Sequence, residues 1–195
     1  MLIGLLVTAV SWSAHVSAQD AGAESAAELF AKHCAVCHGA GGQGTAGVPD
    51  LTDGIWQFGG SYKDVERSII NGRSAVMPGL GIALGEQGLD DVVAYVRSLS
   101  GAVAPAQDKL AGGKALFSVF CASCHGEDGT GTFALGARNL TNGTWLYGGS
   151  ADEIRAVVAN GRASDMPAQR DKLAPKEISL LTTYVRSLGN AQSDE

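Results

Sequence analysis

The chain is predicted to be all-α and to fold one helical unit twice, and three observations carry that expectation. The stretch CAVCHGAGGQG that starts at Cys34 returns as CASCHGEDGTG starting at Cys121. Apolar residues recur at helical spacing in the last stretch of each copy: Leu89, Val92, Val93, Val96 and Leu99 in the first, Ile178, Leu181, Val185 and Leu188 in the second. No alternating polar and apolar run is long enough to suggest a strand.

The repeat extends well beyond the cysteines. Cys34 and Cys121 are 87 positions apart, and from Trp56 and Trp145 onward the offset is 89, because the second copy carries two more residues in its first loop. LTDGIWQFGGS then matches LTNGTWLYGGS, INGRSAVMP matches VANGRASDMP, and DDVVAYVRSLS matches LLTTYVRSLG. Residues 20–99 form the first unit, 100–108 (SGAVAPAQD) an Ala/Pro linker, 109–189 the second unit and 190–195 a tail. Units of about 85 residues sit at the low end of independent stability. The 27 glycines and an aromatic content of 6% leave little for ordinary packing, so a large buried cofactor is expected to complete each core.

Each copy shows the same order of helices. Glu24 to Lys32 and Gly113 to Phe120 lead into the cysteines, with Phe30 and Phe117 as apolar anchors. A middle helix starts at Ser61-x-x-Asp64, which resembles a capping box, and at Ser150-x-x-Glu153, which is a full one. Gly72 and Gly161 stand where C-terminal caps belong. Tyr95 and Tyr184, on the last helices, are expected to partner Phe30 and Phe117 where first and last helices cross.

Composition removes one class of function. A net charge of -6 with no Lys/Arg stripe offers nothing to neutralise phosphates, so nucleic acid is not an expected partner. The charge is uneven: residues 20–104 hold ten Asp/Glu and five Lys/Arg, and residues 105–195 hold ten and nine, giving -5 and -1. Residues 1–19 contain no Asp, Glu, Lys or Arg and read as an export signal cleaved after Ala18, with an uncleaved membrane anchor as the alternative. Either way the remainder is expected outside the cytoplasm.

C-x-x-C-H is a haem attachment signature: two thiols add to the two vinyl groups of a porphyrin, and the adjacent histidine turns onto the iron. Two copies in register make the motif specific. Disulfides would leave the repeated histidine a coincidence. Zinc ribbons hold their C-x-x-C pairs some 15 to 20 residues apart, and a thioredoxin-like site needs a βαβ setting. Cys34 and Cys37 with His38, and Cys121 and Cys124 with His125, are therefore expected to hold two covalent c-type haems.

Methionine occurs three times, and beyond Met1 the other two occupy equivalent places. Met77-Pro78 follows His38 by 39 residues and Met166-Pro167 follows His125 by 41. Core filling is the ordinary role of a lone methionine, but the repetition favours a ligand. Each Met is thus expected as the second axial ligand of its own copy's haem. His33 abuts Cys34 and is too close to reach the opposite face. Arg73 and Arg162 are candidates either for haem propionates or for closing the preceding helix ends. Trp56 and Trp145 are expected as core residues against the porphyrin edge.

On these motifs each half resembles a class I c-type cytochrome. LT-x-G-x-W-x-(F/Y)-G-G-S with N-G-R-x-x-x-M-P resembles the dihaem c-type subunit, subunit III, of cbb3-type haem-copper oxidases, over residues 24–189. The resemblance implies three main helices around each haem and a role in feeding electrons to the oxygen-reducing subunit. It also implies a loop carbonyl that orients each haem-bound histidine, from Pro49 in the first copy and from Arg138 in the second, where the family's proline is absent. The expected partners are redox proteins, the haem-copper catalytic subunit among them, with membrane association through the N-terminal segment or the oxidase. A free soluble periplasmic dihaem carrier remains an alternative, as does catalysis at one haem after its Met departs. His/Met ligation leaves no open iron position and raises the potential, which favours one-electron transfer.

Overall fold

The computed structural model describes residues 24–102 and 106–190. The expected leader at 1–19 lies outside the described residues, as do positions 103–105 of the linker and 191–195 of the tail. Eight helices and two short strands follow in the order α1 (Ala26–His33), α2 (Ala35–His38), α3 (Tyr62–Asn71), β1 (Arg73–Met77), α4 (Gly81–Leu99), α5 (Gln107–Phe120), α6 (Ala122–His125), α7 (Ala151–Asn160), β2 (Arg162–Met166) and α8 (Pro175–Asn190).

Local signals place the helix ends. Ser25 and Ser150 form full capping boxes with Glu28 and Glu153, and the Ser61 side chain accepts from the Asp64 N–H. Gly72 and Gly161 stop the middle helices at φ 68° and 70°, values that favour glycine. Where the second copy's first loop is two residues longer, the chain makes a single 3-10 turn, Phe133–Leu135.

The all-α expectation needs correction. β1 and β2 pair antiparallel, Arg73 opposite Met166 and Met77 opposite Arg162. Their sequences, RSAVM and RASDM, are short and poor in β-branched residues. What makes them strands is each other: two copies of one segment run past one another and satisfy each other's backbone groups.

That ribbon is a crossover. Past β1 the chain leaves the first repeat's helices and enters the second's; past β2 it does the reverse. One core contains Leu29 and Phe30 of α1, Val65 and Ile69 of α3, and Ile178, Leu181 and Val185 of α8. The other contains Leu89, Val92, Val93 and Val96 of α4, Phe117 of α5, and Ile154 and Val158 of α7. Each packing unit thus takes its first and middle helices from one repeat and its last helix from the other. The aromatic partners exchange accordingly: Phe30 meets Tyr184 with ring centroids 5.5 Å apart, and Phe117 meets Tyr95 at 5.3 Å.

Candidate haem sites

Each C-x-x-C-H begins where a helix ends. The Cys34 N–H donates to the Phe30 carbonyl at 2.8 Å, closing α1, and the Cys34 carbonyl accepts from the N–H groups of Cys37 and His38 at 3.1 and 3.0 Å. The result is a single turn with two thiols three residues apart on one side. Cys121 repeats it, donating to Phe117 at 2.8 Å and accepting from Cys124 and His125 at 3.1 and 2.9 Å. Gly39 (φ 80°) and Gly126 (φ 78°) end these turns.

The four cysteines are free thiols, with Cys37 and Cys124 exposed and Cys34 and Cys121 more enclosed. Burial, with a smaller push from the neighbouring cysteine, raises the Cys34 and Cys121 thiols to about 11. That is opposite to the depressed value of a redox-active C-x-x-C pair.

Both histidines are oriented by backbone. His38 Nδ1 lies 3.1 Å from the Pro49 carbonyl and His125 Nδ1 lies 3.0 Å from the Arg138 carbonyl. A carbonyl only accepts, so each Nδ1 carries the proton and each Nε2 presents its lone pair, the tautomer an axial ligand needs. Burial lowers both imidazole pKa values, with the carbonyl bonds opposing it. The arginine at the second copy's proline position supplies the same backbone oxygen.

The crossover carries the methionines with it. Met77, ending β1, packs against the core that contains Cys121 and Ala122. The segment beyond it is tied there by Leu80 N–H to the Val158 carbonyl at 2.8 Å. Met166, ending β2, passes with its carbonyl against Gly72 of the first repeat. Its following segment is tied to α3 by Gln169 N–H to the Ile69 carbonyl at 3.0 Å. Leu173, a little further on, joins the core of α1 and α3. So the structure brings Met77 to the His125 unit and Met166 to the His38 unit.

The ends of the exchanged helices close the same loops. Leu188 Cδ1 sits 2.9 Å from where a Cβ on Gly42 would be, and Leu99 Cδ1 sits 2.8 Å from the same point on Gly129. Both glycines also hold positive φ, 87° and 76°, so two independent constraints fix them. Trp56 packs against the α1–α3–α8 core and Trp145 against the α4–α5–α7 core.

The arginines divide. Arg73 and Arg162 lie over the rings of Phe58 and Tyr147, at 4.7 and 5.3 Å; Arg73 also donates to the Ser68 hydroxyl and to the Asp64 carbonyl in the first turn of α3, and Arg162 to the Gly161 carbonyl at the end of α7. Arg186, on α8, donates through Nε to the Gly60 carbonyl at 3.1 Å. Its counterpart Arg97, on α4, has a buried Nε with no hydrogen-bond partner in the structure. An orphaned guanidinium N–H beside Trp145's core fits an anionic group such as a porphyrin propionate. The matched YVRSL segments carried that signal in the sequence. Among the described residues no three His, Cys, Asp or Glu side chains cluster to hold a bare metal ion.

The family model described as cytochrome c oxidase, cbb3-type, subunit III matches twice, over residues 21–96 and 108–185. Cbb3-type cytochrome c oxidase subunit FixP of Azorhizobium caulinodans is 41% identical over 171 residues, covering 84% of this chain and 58% of its own. Subunit CcoP of Rubrivivax gelatinosus is 41% identical over 187 residues, covering 94% and 60%. Subunit CcoP of Rhodobacter capsulatus is 38% identical over 185 residues, covering 85% and 62%. The chain therefore spans about three fifths of the length of the curated relatives it matches.

Proposed function

The chain belongs to the family of cbb3-type cytochrome c oxidase subunit III, and from that membership we propose that it is a dihaem c-type cytochrome carrying single electrons to a terminal oxidase. Cys34 and Cys37 hold one haem by thioether bonds, and Cys121 and Cys124 hold the other. When bound, each haem supplies a one-electron iron couple. The residues here supply attachment, orientation and exclusion of water.

The observation that carries the reading is the convergence, in each packing unit, of a carbonyl-oriented imidazole with a methionine brought in from the other repeat. His38 with Met166, and His125 with Met77, are the ligand pairs this packing supports. The pairing by sequence proximity, His38 with Met77 and His125 with Met166, would require each methionine to return across the ribbon, away from the core its own segment joins. With these pairs in place each haem would be held by two protein ligands, an arrangement that would suit one-electron transfer and would leave oxygen chemistry to another subunit.

On this reading the haem domains lie in the periplasm and dock on the haem-copper catalytic subunit at the outer face of the inner membrane, a role suggested by relatives named as oxidase subunits. Among the described residues no helix is long and apolar enough to cross a membrane.

Intact mass and haem staining test the cofactor content, with two haems per chain expected. Carbon monoxide added to the reduced protein should leave the spectrum nearly unchanged. Retention of the chain on solubilised oxidase at high salt supports the subunit role; full recovery in the soluble periplasmic fraction contradicts it.

A further inference from the structure

The two repeats build their histidine-side loops with the same turns and different charges. Asp50 follows Pro49, whose carbonyl holds His38; Asn139 follows Arg138, whose carbonyl holds His125. Asp50 Oδ1 accepts from the N–H and hydroxyl of Thr52, both at 2.7 Å, and Asn139 Oδ1 accepts from the N–H and hydroxyl of Thr141 at 2.8 and 2.7 Å. Three residues on, Asp53 Oδ1 takes the Ile55 N–H at 2.8 Å and Asn142 Oδ1 takes the Thr144 N–H at 3.0 Å. The turns need only a side-chain oxygen, which Asn and Asp supply equally. Two negative charges on the first side therefore have no part in the fold that their counterparts do not fill without charge.

A positive charge stands between the two sides. Arg138 stands where the first repeat has Pro49, and its guanidinium donates to Gln57 Oε1 at 3.1 Å while the Gln57 amide donates to the Gly136 carbonyl. Leu146, the second repeat's counterpart of Gln57, has no side-chain polar group to return the contact. Arg138 is thus fixed at the junction of the two loops, lining one cavity with Asp50 and Asp53 and another with Asn139 and Asn142, so its charge is shared between the two sides.

We propose that Asp50 and Asp53 on the first side, against the uncharged Asn139 and Asn142 on the second, set the haem of His38 at the lower potential and the haem of His125 at the higher. Electrons then enter at the first haem and leave from the second. Negative charge beside an iron favours its ferric form, and these partly buried groups are screened less than exposed charges, whose fields fade over about 8 to 10 Å at working salt.

The inference rests on the dihaem reading, and one experiment separates the two. In the holoprotein, a redox titration followed by NMR tracks the haem-methyl signals of each haem. The isosteric pair Asp50→Asn and Asp53→Asn should raise the first potential and narrow the gap. The reciprocal pair Asn139→Asp and Asn142→Asp should lower the second. Two resolved transitions that do not move, or that start in the reverse order, overturn the inference. A single haem per chain overturns the dihaem reading beneath it.

Discussion

Phe30 and Tyr184 stack at 5.5 Å and 56° although 154 residues separate them, so the first helix of one repeat is completed by the last helix of the other. Tyr95 and Phe117, only 22 residues apart, form the equivalent pair at 5.3 Å and 58°. Neither repeat contains a whole core, and under the proposed ligation neither would contain both ligands of one iron.

Core substitutions should therefore act across the repeats. Leu181, in α8, is fully buried beside α1 and α3. Leu181→Ala should cost about 2 to 5 kcal/mol. On heating, the haem attached at Cys34 and Cys37 should lose its methionine-to-iron absorption first, although Leu181 belongs to the repeat of Cys121. Loss at the other haem first would count against the exchange.

Close contact of α4 with α5 depends on one glycine. A Cβ on Gly113 would collide with the backbone carbonyl of Asp91 and come within 2.7 Å of the Tyr95 Cβ. A Cβ on Gly112 would meet only the Asp91 carboxylate, at 3.0 Å, which can swing aside. Gly113→Ala should destabilise by about 1 to 3 kcal/mol despite its better helix propensity. Gly112→Ala should be neutral or slightly stabilising. Equilibrium denaturation of the two variants decides.

Ion pairing differs between the units. Arg155 of α7 bridges Glu86 and Asp90 of α4, whereas the equivalent faces of α3 and α8 are joined by Tyr62 and Ser179, whose hydroxyls lie 2.8 Å apart. Arg155→Ala should cost less than about 1 kcal/mol, because Glu86 and Asp90 are solvent-exposed. The loss should shrink further at high salt, and melting curves at two ionic strengths measure it.

The capping boxes give an acid limb to stability. Bonds from Ser25 hold the Glu28 carboxyl below its usual value, and bonds from Ser150 do the same for Glu153. A carboxylate with a depressed folded pKa contributes stability that is complete above its unfolded value near 4.5 and is lost as pH falls through the folded one. Glu28→Gln and Glu153→Gln keep an acceptor without the charge, so both should flatten the fall in melting temperature below pH 4.5, with no change in its shape near neutrality.

Much of this was legible in the sequence. The repeat, the helix caps at Ser61, Ser150, Gly72 and Gly161, and the attachment motifs are local signals read from neighbouring residues. The exchange was not, and the reason is physical. Apolar spacing in α4 and α8 shows that each needs a complementary face, but the two repeats offer nearly identical faces, so the pattern does not say which is used. The ribbon that decides it hides for the same reason. RSAVM and RASDM have little strand character alone and become a ladder only when both copies lie side by side. Arg138 illustrates the reverse case: its backbone role was foreseeable from its position, while its side-chain contact with Gln57 depends on how the two loops meet.

The exchange makes one claim above all, that Met166 caps the haem of His38 and Met77 the haem of His125. In the reduced, diamagnetic holoprotein the ligand methionine ε-methyl groups are shifted far from all other signals by the porphyrin ring current, and each haem is identified by its thioether bridges. The Met166 ε-methyl is expected to show nuclear Overhauser contacts to the haem bridged to Cys34 and Cys37, and the Met77 ε-methyl to the haem bridged to Cys121 and Cys124. Contacts from Met77 to the haem of Cys34 and Cys37 would contradict the exchanged ligation.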